Sequence, residues 1–212
     1  HSSVSIFSSK IKCGDCGGWY GSKVWHSNDK YRRVVWQCNH KFDGGEKCAT
    51  PHLDEERIKE LFLKAANIFC AEKDEVLAGF EAVKDTVFAT AALEEEKAGL
   101  QEEMNVVAGL IQQCINENAR VALDQAEYQA KYNALADRFE KARERLEAAS
   151  MEITEKQARR EMAERCLAEI AKQEGVVSEF DEDLWYALVD YATVHGKNDV
   201  RFTFKDGTEI KV

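Results

Sequence analysis

The sequence predicts an α+β protein, in which a small β-ribbon domain has a long antiparallel coiled-coil helical hairpin inserted into it and is closed by a C-terminal helix and β-hairpin. Three features of the 212 residues predict this: four of seven cysteines lie near the start, apolar residues at coiled-coil spacing fill the middle, and strand-like alternation returns near the end. The predicted domains are a ribbon with a packing helix (1–71), a coiled-coil arm (72–175, tip about 116–124) and a C-terminal helix and hairpin (176–212).

Charge is distributed unevenly along the chain. The formal net charge is -10, yet residues 1–52 carry eight Lys and Arg against four Asp and Glu. Residues 53–180 carry 17 against 28, and residues 181–212 carry 4 against 7. The small basic head is therefore the candidate anion-binding part. No apolar run approaches the roughly 18 residues needed to cross a bilayer, so no membrane partner is expected.

The four cysteines of the head have the spacing of metal ligands. Cys13 and Cys16 are separated by two residues and followed by glycine, a tight turn that aims both sulfurs at one ion. Cys38 and Cys48 form a looser pair, with a turn signal at residues 43–45 between them. An odd number of cysteines without a secretion signal suits a reducing compartment and a metal site better than disulfides. The candidate ligands of a structural Zn²⁺ ion are Cys13, Cys16, Cys38 and Cys48, with His40 and His52 as spare ligands.

Between the two cysteine pairs the sequence predicts a β-hairpin. Residues 19–25 and 31–36 are rich in aromatic and β-branched residues and flank a polar loop. A two-stranded ribbon fits the DNA major groove, where Arg reads guanine and Lys holds phosphates, but a solvated hairpin explains the charge equally well. Trp19, Trp25 and Trp36 are expected to pack the ribbon rather than to stack on bases. The loop and its flanks carry Lys23, His26, Lys30, Arg32 and Arg33.

The middle of the chain predicts two long helices. From residue 72 to 115, apolar residues recur in steps of four and three, with a slip of phase near Ala91. The same alternation is sustained from residue 124 to 172. Residues 116–124 are predicted as the turn, and Asp124 begins a sequence that resembles a capping box. Because the two runs have similar lengths, they are expected to pair as an antiparallel hairpin.

Two shorter segments flank the long helices. Residues 53–70 have the spacing of an amphipathic helix, which is expected to pack against the ribbon. Residues 181–191 are predicted as a short helix, and residues 200–212 as a β-hairpin with an Asp206-Gly207 turn. A lone hairpin is not stable in water, so the expected partner of this one is the ribbon at the other end of the chain.

In this order, the segments resemble the large serine recombinases, or serine integrases. The resemblance rests on "IKCGDCGGWYGSKVW", "YRRVVWQC", "CATP", the helical pair and "EFDEDLWYALVDYATV…VRFTFKDGTEI". It covers nearly the whole chain and corresponds to the C-terminal zinc-ribbon domain of that family, with its inserted coiled-coil motif. Nothing resembles the catalytic serine domain, and the chain starts at His1. We therefore expect a non-catalytic piece of a longer, bacterial cytoplasmic recombinase.

The resemblance implies a role for each part. The zinc ribbon would dock in the major groove of a double-stranded DNA attachment half-site. The coiled coil would contact other recombinase subunits, control the direction of recombination, and be open to redirection by a directionality factor. The implied DNA contacts are Lys23, Ser27, Asn28, Lys30, Arg32 and Arg33. The implied subunit contacts at the tip of the coiled coil are Asn118, Arg120, Val121 and Leu123.

Other interpretations stay open on the sequence alone. A zinc-stapled coiled-coil scaffold that binds only protein would have no DNA affinity. A metal-dependent enzyme needs an open coordination position and a general base, and a site with four thiolates offers neither. The head cysteines could also be unligated, and the coiled-coil tip could be a plain loop. Cys70, Cys114 and Cys166 are expected to be small buried side chains rather than ligands.

Overall fold

The computed structural model describes residues 5–42, 47–121 and 124–212. The α+β class is confirmed, with a ribbon, a helical hairpin inserted in the sequence, and a closing helix and strands. The turn signal at residues 43–45 lies outside the described residues. The elements are β1 (Ile11–Cys13), β2 (Tyr20–Trp25), β3 (Arg33–Cys38), β4 (Leu53–Asp54), α1 (Glu55–Ala71), α2 (Lys73–Val87), α3 (Ala91–Arg120), α4 (Gln125–Lys172), α5 (Glu182–Leu188), β5 (Val189–Gly196), β6 (Asp199–Phe204) and β7 (Glu209–Lys211).

The chain divides into two compact units. The first consists of His1–Ala82 together with Glu161–Val212, so it brings both ends of the chain into one body. The second is Val83–Arg160, which lies between those two segments in the sequence. Within the described part of the chain, no helix is both long and apolar enough to span a membrane.

The ribbon of the first unit is a three-stranded sheet in the order β2-β3-β4. The strands β2 and β3 pair antiparallel from Tyr20 opposite Cys38 to Trp25 opposite Arg33, which confirms the predicted hairpin. The aromatic and β-branched residues of both strands suit a pleated, half-buried surface. The short strand β4 pairs with Val35 and Trp36 and leads directly into α1, so α1 starts against the ribbon.

A second sheet joins the two ends of the chain in the order β1-β5-β6-β7. The sequence prediction missed β5, because it extended the short helix to residue 191, whereas α5 ends at Leu188. Residues 189–196 instead alternate between buried and exposed positions along a strand. The strand β5 pairs parallel with β1, with Lys12 opposite Thr193. The C-terminal hairpin therefore reaches the head through β5 and β1, not through the ribbon hairpin as predicted.

The core of the first unit is built around aromatic rings from all its layers. Trp185 of α5 is fully buried, 5.1 Å from the Phe7 ring and 5.2 Å from the Phe62 ring between centroids, both nearly edge-to-face. Such pairs contribute about 0.5–1.5 kcal/mol each beyond their burial. Trp36 of the ribbon packs edge-on against Phe7 at 6.0 Å. The ribbon thus packs on the same core as α1 and the β1-β5-β6-β7 sheet, which we call the C-terminal sheet.

The second unit contains a pair of antiparallel helices. Ion pairs link α4 to α2 and α3. The residue number of the partner falls as the residue number on α4 rises, which only an antiparallel arrangement allows. The predicted seam is confirmed by burial at Val107 and Cys114 on α3 and at Ala142, Ala149 and Ile153 on α4. The ion pairs are Lys131 with Glu117, Arg138 with Glu103, Arg145 with Glu96, and Arg160 with Asp85.

The outgoing run is not one helix. It breaks between the end of α2 at Val87 and the start of α3 at Ala91, where the apolar pattern slips phase. At the other end, α3 continues to Arg120, so the turn is shorter than residues 116–124. Asp124 caps α4, since its Oδ1 accepts hydrogen bonds from the backbone N–H of Ala126 at 2.8 Å and of Glu127 at 3.1 Å.

The cysteines outside the head are packing residues. Cys114 and Cys166 are buried to 2% and 0% exposure, as the sequence predicts. Cys70 is half-buried and packs against the core of the first unit. Burial raises the pKa of the Cys166 thiol to about 12, so this thiol is protonated and unreactive at neutral pH.

Candidate metal centre and nucleic-acid interface

Four sulfur atoms converge at the base of the ribbon. The Sγ atoms of Cys13, Cys16, Cys38 and Cys48 all lie within 4.8 Å of one another. Cys16 Sγ is 3.5 Å from Cys38 Sγ, which is 3.8 Å from Cys48 Sγ. A tetrahedral zinc ion with bonds of about 2.3 Å places its sulfur ligands about 3.8 Å apart. The four side chains therefore have the chemistry and spacing of a zinc–thiolate site.

The first cysteine pair sits on a tight backbone turn. The N–H of Gly17 donates to the carbonyl of Cys13, and the N–H of Cys13 donates to the carbonyl of Gly18, each at 2.8 Å. Gly17 has a φ of +70°, a conformation that a residue with a Cβ rarely adopts. The turn points both sulfurs toward the same space, as the spacing of the two cysteines predicts.

The second pair is held to the first by a carboxylate that the sequence analysis did not single out. Asp15 lies between Cys13 and Cys16, and its Oδ2 accepts hydrogen bonds from the backbone N–H of Ala49 at 2.6 Å and of Thr50 at 3.2 Å. These contacts fix the chain immediately after Cys48. An acidic residue inside a Cys-X-X-Cys turn is the signal that could have identified it.

The thiols of the site differ in how readily they ionise. Burial opposes ionisation of Cys13, but hydrogen bonds from the Thr50 hydroxyl and from backbone N–H groups outweigh it and lower its pKa to about 7. Burial, followed by the neighbouring thiol of Cys16, raises the pKa of Cys38 to about 11. Four clustered thiolates repel one another, so full ionisation of the site needs a bound cation. A site with four protein ligands leaves no coordination position for substrate, which is typical of a structural metal.

The two spare histidines lie in different places. His40 Nδ1 is 3.9 Å from Cys16 Sγ, so it is next to the site but outside the cluster of four. The His52 ring instead packs on Trp25, with centroids 4.5 Å apart. His40 is therefore placed to replace a displaced cysteine, while the His52 ring is engaged with Trp25.

The tip of the β2–β3 hairpin is organised by Asp29. The Oδ1 of Asp29 accepts a hydrogen bond from the Tyr31 N–H at 2.6 Å, and its carbonyl accepts one from the Arg32 N–H at 3.2 Å. Its Oδ2 lies 3.3 Å from His26 Nδ1, and His26 has a φ of +54°. This Asx turn sets the direction in which the basic side chains leave the tip.

The predicted DNA contacts all lie on the exposed end of this hairpin. Arg33 is held in place, because its guanidinium stands 5.2 Å from the Trp25 ring centroid and its Nη1 is 3.8 Å from Asp54 Oδ2. Lys30 Nζ lies 5.1 Å from the Tyr31 ring centroid. All six predicted contacts are exposed: Lys23 on β2, Ser27, Asn28, Lys30 and Arg32 in the tip, and Arg33 at the start of β3.

The three tryptophans of the ribbon have different environments. Trp36 is buried at 1% exposure and belongs to the core, as predicted. Trp25 is half-buried between His52 and Arg33. Trp19 is the most exposed of the three at 39%, and Lys12 Nζ lies 5.2 Å from its ring centroid.

The predicted subunit contacts lie at or beside the turn of the helical hairpin. Asn118 is half-buried, and its Oδ1 accepts a hydrogen bond from Gln125 Nε2 at 3.2 Å. Arg120 is exposed and ends α3. Val121 follows it with 61% of its surface exposed. Leu123 lies outside the described residues.

Comparison with known proteins finds a relative of the N-terminal part of the chain. Residues 6–67 match the family model of the recombinase zinc beta ribbon domain. This segment is similar to the zinc ribbon of recombinases. The matched residues include all four clustered cysteines, the basic hairpin and most of α1. The resemblance to a recombinase zinc ribbon that the sequence predicts is therefore confirmed over residues 6–67.

The whole chain was also compared with solved structures and with curated proteins. A structure described as "Crystal Structure of a LSR-DNA Complex" is similar at 16% sequence identity and a TM-score of 0.43. The similarity covers 96% of this chain but 57% of the other, so the chain spans little more than half the length of that protein. No curated protein matches this chain.

Proposed function

We propose that this chain is the DNA-binding and synapsis-regulating part of a site-specific serine recombinase. The observation that carries the proposal is the exposed basic hairpin, mounted on the four-cysteine site, within the segment that matches the recombinase zinc ribbon. In this proposal the ribbon binds half of a DNA attachment site, and the helical hairpin mediates contacts between subunits.

The dimensions and charge of the ribbon support binding in the major groove. That groove is about 12 Å wide and admits a two-stranded ribbon. The hairpin carries Lys23, Lys30, Arg32 and Arg33 against the single acid Asp29. The Asp29 carboxylate is engaged in the turn and with His26, and Asp54 lies 3.8 Å from Arg33. Lys23, Lys30 and Arg32 still leave the exposed charge of the hairpin positive. Phosphate groups on both sides of the groove attract such a surface, and the Arg side chains can reach base edges.

The metal has a structural role in this proposal. Cys13, Cys16, Cys38 and Cys48 would hold Zn²⁺, which would supply the cross-link between the base of the hairpin and the segment before β4. The protein supplies the orientation: Asp15 fixes the chain after Cys48, and β3 carries Cys38 at its end. The basic tip and the metal site are then parts of one rigid ribbon.

The surface of the helical hairpin supports a role in subunit contacts. Residues 104–116 of α3 contain no charged residue, although the rest of the hairpin is highly charged. Within this stretch, Val106 and Leu110 are 51% and 38% exposed and lie four residues apart on one face of α3, and Val121 beyond it is 61% exposed. Exposed apolar side chains grouped in this way are typical of protein contacts. The proposed partners are other recombinase subunits, with a directionality factor acting on the same surface.

The DNA-binding part of the proposal is tested by replacing Arg32 and Arg33 with alanine. Fluorescence anisotropy with a labelled 30-base-pair duplex is expected to show at least tenfold weaker binding at about 100 mM salt, because two cations leave the interface. Arg143→Ala with Arg159→Ala is the matched control, since both arginines are exposed on α4 and paired with acids on the same helix. Equal affinities for the two double variants would favour a scaffold that binds only protein.

A further inference from the structure

A cation–aromatic patch lies outside the basic hairpin, where Lys12 of β1 contacts one ring from β5 and one from the residue before β2. We call Lys12, Trp19 and Tyr191 the Lys12 patch. Lys12 Nζ is 3.4 Å from the Tyr191 ring centroid and 5.2 Å from the Trp19 ring centroid. Trp19 is exposed, and Lys12 and Tyr191 are half-buried. Neither the metal site nor the groove-binding tip accounts for this arrangement.

The Lys12 patch shares a face with the hairpin. An isolated bridge pairs Lys12 with Trp19, and bridged residues direct their side chains to the same side of a sheet. Side chains two apart on a strand also share a face, so Trp19 lies on the same side of the ribbon as Lys23. Between them Gly21 has no side chain, and the Asn39 amide covers its Cα. The face is therefore continuous and polar from Lys12 to Lys23.

Lys12 differs from the other cations on the outer face of the C-terminal sheet. Arg201 Nε and Lys211 Nζ lie 3.0 and 2.9 Å from the two oxygens of Asp199, and Arg201 also approaches Glu209 at 3.4 Å. These cations are neutralised by neighbours. Among the described residues, no carboxylate oxygen lies within salt-bridge distance of Lys12. Two aromatic rings hold its ammonium in place, and its charge is not compensated.

We propose that the Lys12 patch contacts the sugar–phosphate backbone of the duplex whose major groove holds the hairpin. The proposal rests on the DNA-binding function above and extends it to a residue of the C-terminal sheet, Tyr191. A lysine ammonium is a compact charge with three N–H donors, and the Tyr191 ring occupies one side of it, so the remaining donors are available to phosphate oxygens. The occupant is duplex DNA because the face is continuous with the basic hairpin and carries uncompensated positive charge.

The position of the patch also determines how the ribbon lies on DNA. Trp19 and His26 at the tip are seven positions apart along an extended chain, a distance of about 23 Å. The major groove is only about 8.5 Å deep. A ribbon inserted tip-first would hold the Lys12 patch well away from the duplex. The patch reaches the backbone only when the ribbon lies along the groove, with the face that carries Lys23 toward the DNA.

The test is the salt dependence of binding to a generic 30-base-pair duplex between 50 and 200 mM salt. Removing one phosphate contact lowers the slope of log affinity against log salt by about 0.9. Lys12→Gln and Lys12→Met are both expected to show this loss, and Lys12→Arg to keep the slope of the unmodified chain. Met keeps the aliphatic length that packs against the two rings, so agreement between the two neutral variants separates the lost charge from a packing defect.

Lys211→Gln is the matched control, because it removes the same charge from an exposed lysine of the same sheet that is already paired with Asp199. It is expected to leave the slope within about 0.2 of that of the unmodified chain. If Lys12→Gln changes the slope no more than Lys211→Gln does, while Arg32→Ala with Arg33→Ala weakens binding, the patch is not a contact and only this inference fails. If the unmodified, zinc-loaded chain does not bind the duplex, both proposals fail.

Discussion

Asp15 links the Cys13–Cys16 turn to the segment after Cys48 by hydrogen bonds to backbone N–H groups, independently of a metal. Its carboxylate accepts two N–H groups from the segment that follows Cys48. Lys41 Nζ, which donates to the Thr50 carbonyl at 2.6 Å, and the Tyr20 hydroxyl, which donates to the Pro51 carbonyl at 2.8 Å, hold the same segment farther from Cys48. Residues that orient metal ligands in this way commonly affect metal affinity nearly as much as the ligands themselves.

Replacing Asp15 with alanine is therefore expected to weaken zinc binding by about 10- to 100-fold, measured by competition with a chromophoric chelator. Asp15→Asn keeps one acceptor oxygen of the same reach and should lose much less. Equal zinc affinities for the alanine variant and the unmodified chain would show that the second cysteine pair is positioned by other contacts.

Single residues were predictable from the sequence where the pattern is local. The spacing of Cys13 and Cys16 is enough to predict a turn with two sulfurs on one side. Asp15 was missed because its partners are 34 and 35 residues away: an acid inside a Cys-X-X-Cys turn marks the residue, but the local pattern does not encode which backbone groups it binds. The partial exposure of Trp19 was less predictable, because the burial of a tryptophan depends on which neighbours cover the strand, and strand propensity does not encode them.

The helical hairpin is the element in which sequence periodicity was most informative. Its seam follows steps of four and three, and Ala149 and Cys114 on that seam are almost fully buried. The break between Val87 and Ala91 coincides with the slip of phase, since a change of register lets a helix restart with its apolar side turned back to its partner. The length of the turn was less predictable, because Asn and Glu residues occur both in turns and in exposed helix.

A charge placed on the seam is expected to destabilise the hairpin. Ala149 is fully buried, so Ala149→Glu should lower the free energy of unfolding of the second unit by about 2–4 kcal/mol. Its neighbour Ala148 is exposed, and Ala148→Glu should change it by less than about 0.5 kcal/mol. Urea titrations followed by circular dichroism at 222 nm measure both, and equal midpoints would contradict the assignment of the seam.

Substitutions at the turn between α3 and α4 should reduce the pairing of DNA-bound subunits without changing DNA affinity. Val121→Asp is expected to reduce the bridging of two differently labelled attachment-site duplexes by the parent recombinase, because it places a charge in a proposed apolar contact. Ala148→Asp is the control on the same unit. Unchanged bridging by the Val121 variant would remove the turn from the subunit contact.

The strand β5 is an element that the periodicity of the sequence does not predict. Residues 189–196 follow a short helix without any intervening glycine or proline, so the sequence contains no signal for the change from helix to strand. What selects the strand is its pairing with β1 and β6, one of which is more than 170 residues away. Non-local pairing of this kind is the part of the fold that a single sequence encodes least directly.

At the scale of the whole molecule, the first unit has two sources of stability. One is the four-cysteine site at the base of the ribbon, and the other is the aromatic core around Trp185. The second unit, Val83–Arg160, contains none of the clustered cysteines. Loss of the metal should therefore disorder the ribbon while leaving the helical hairpin folded.

Removal of zinc with a chelator tests this separation. Hydrogen exchange measured by mass spectrometry is expected to show loss of protection in residues 13–38, because the apo cluster of thiols no longer ties the hairpin together. Protection across α3 and α4 should persist. Cys16→Ser should reproduce this result without a chelator. A ribbon that stays protected in either experiment would mean that the core alone maintains it.

The most direct test of the account is selection of random duplex DNA by the zinc-loaded chain at about 100 mM salt, repeated with Arg32→Ala and Arg33→Ala combined. We expect the unmodified chain to enrich a short motif and the double variant to lose it, since these arginines stand at the exposed end of a ribbon that fits the major groove. No enrichment by a chain with zinc bound and its fold intact would contradict the proposed reading of DNA by the ribbon.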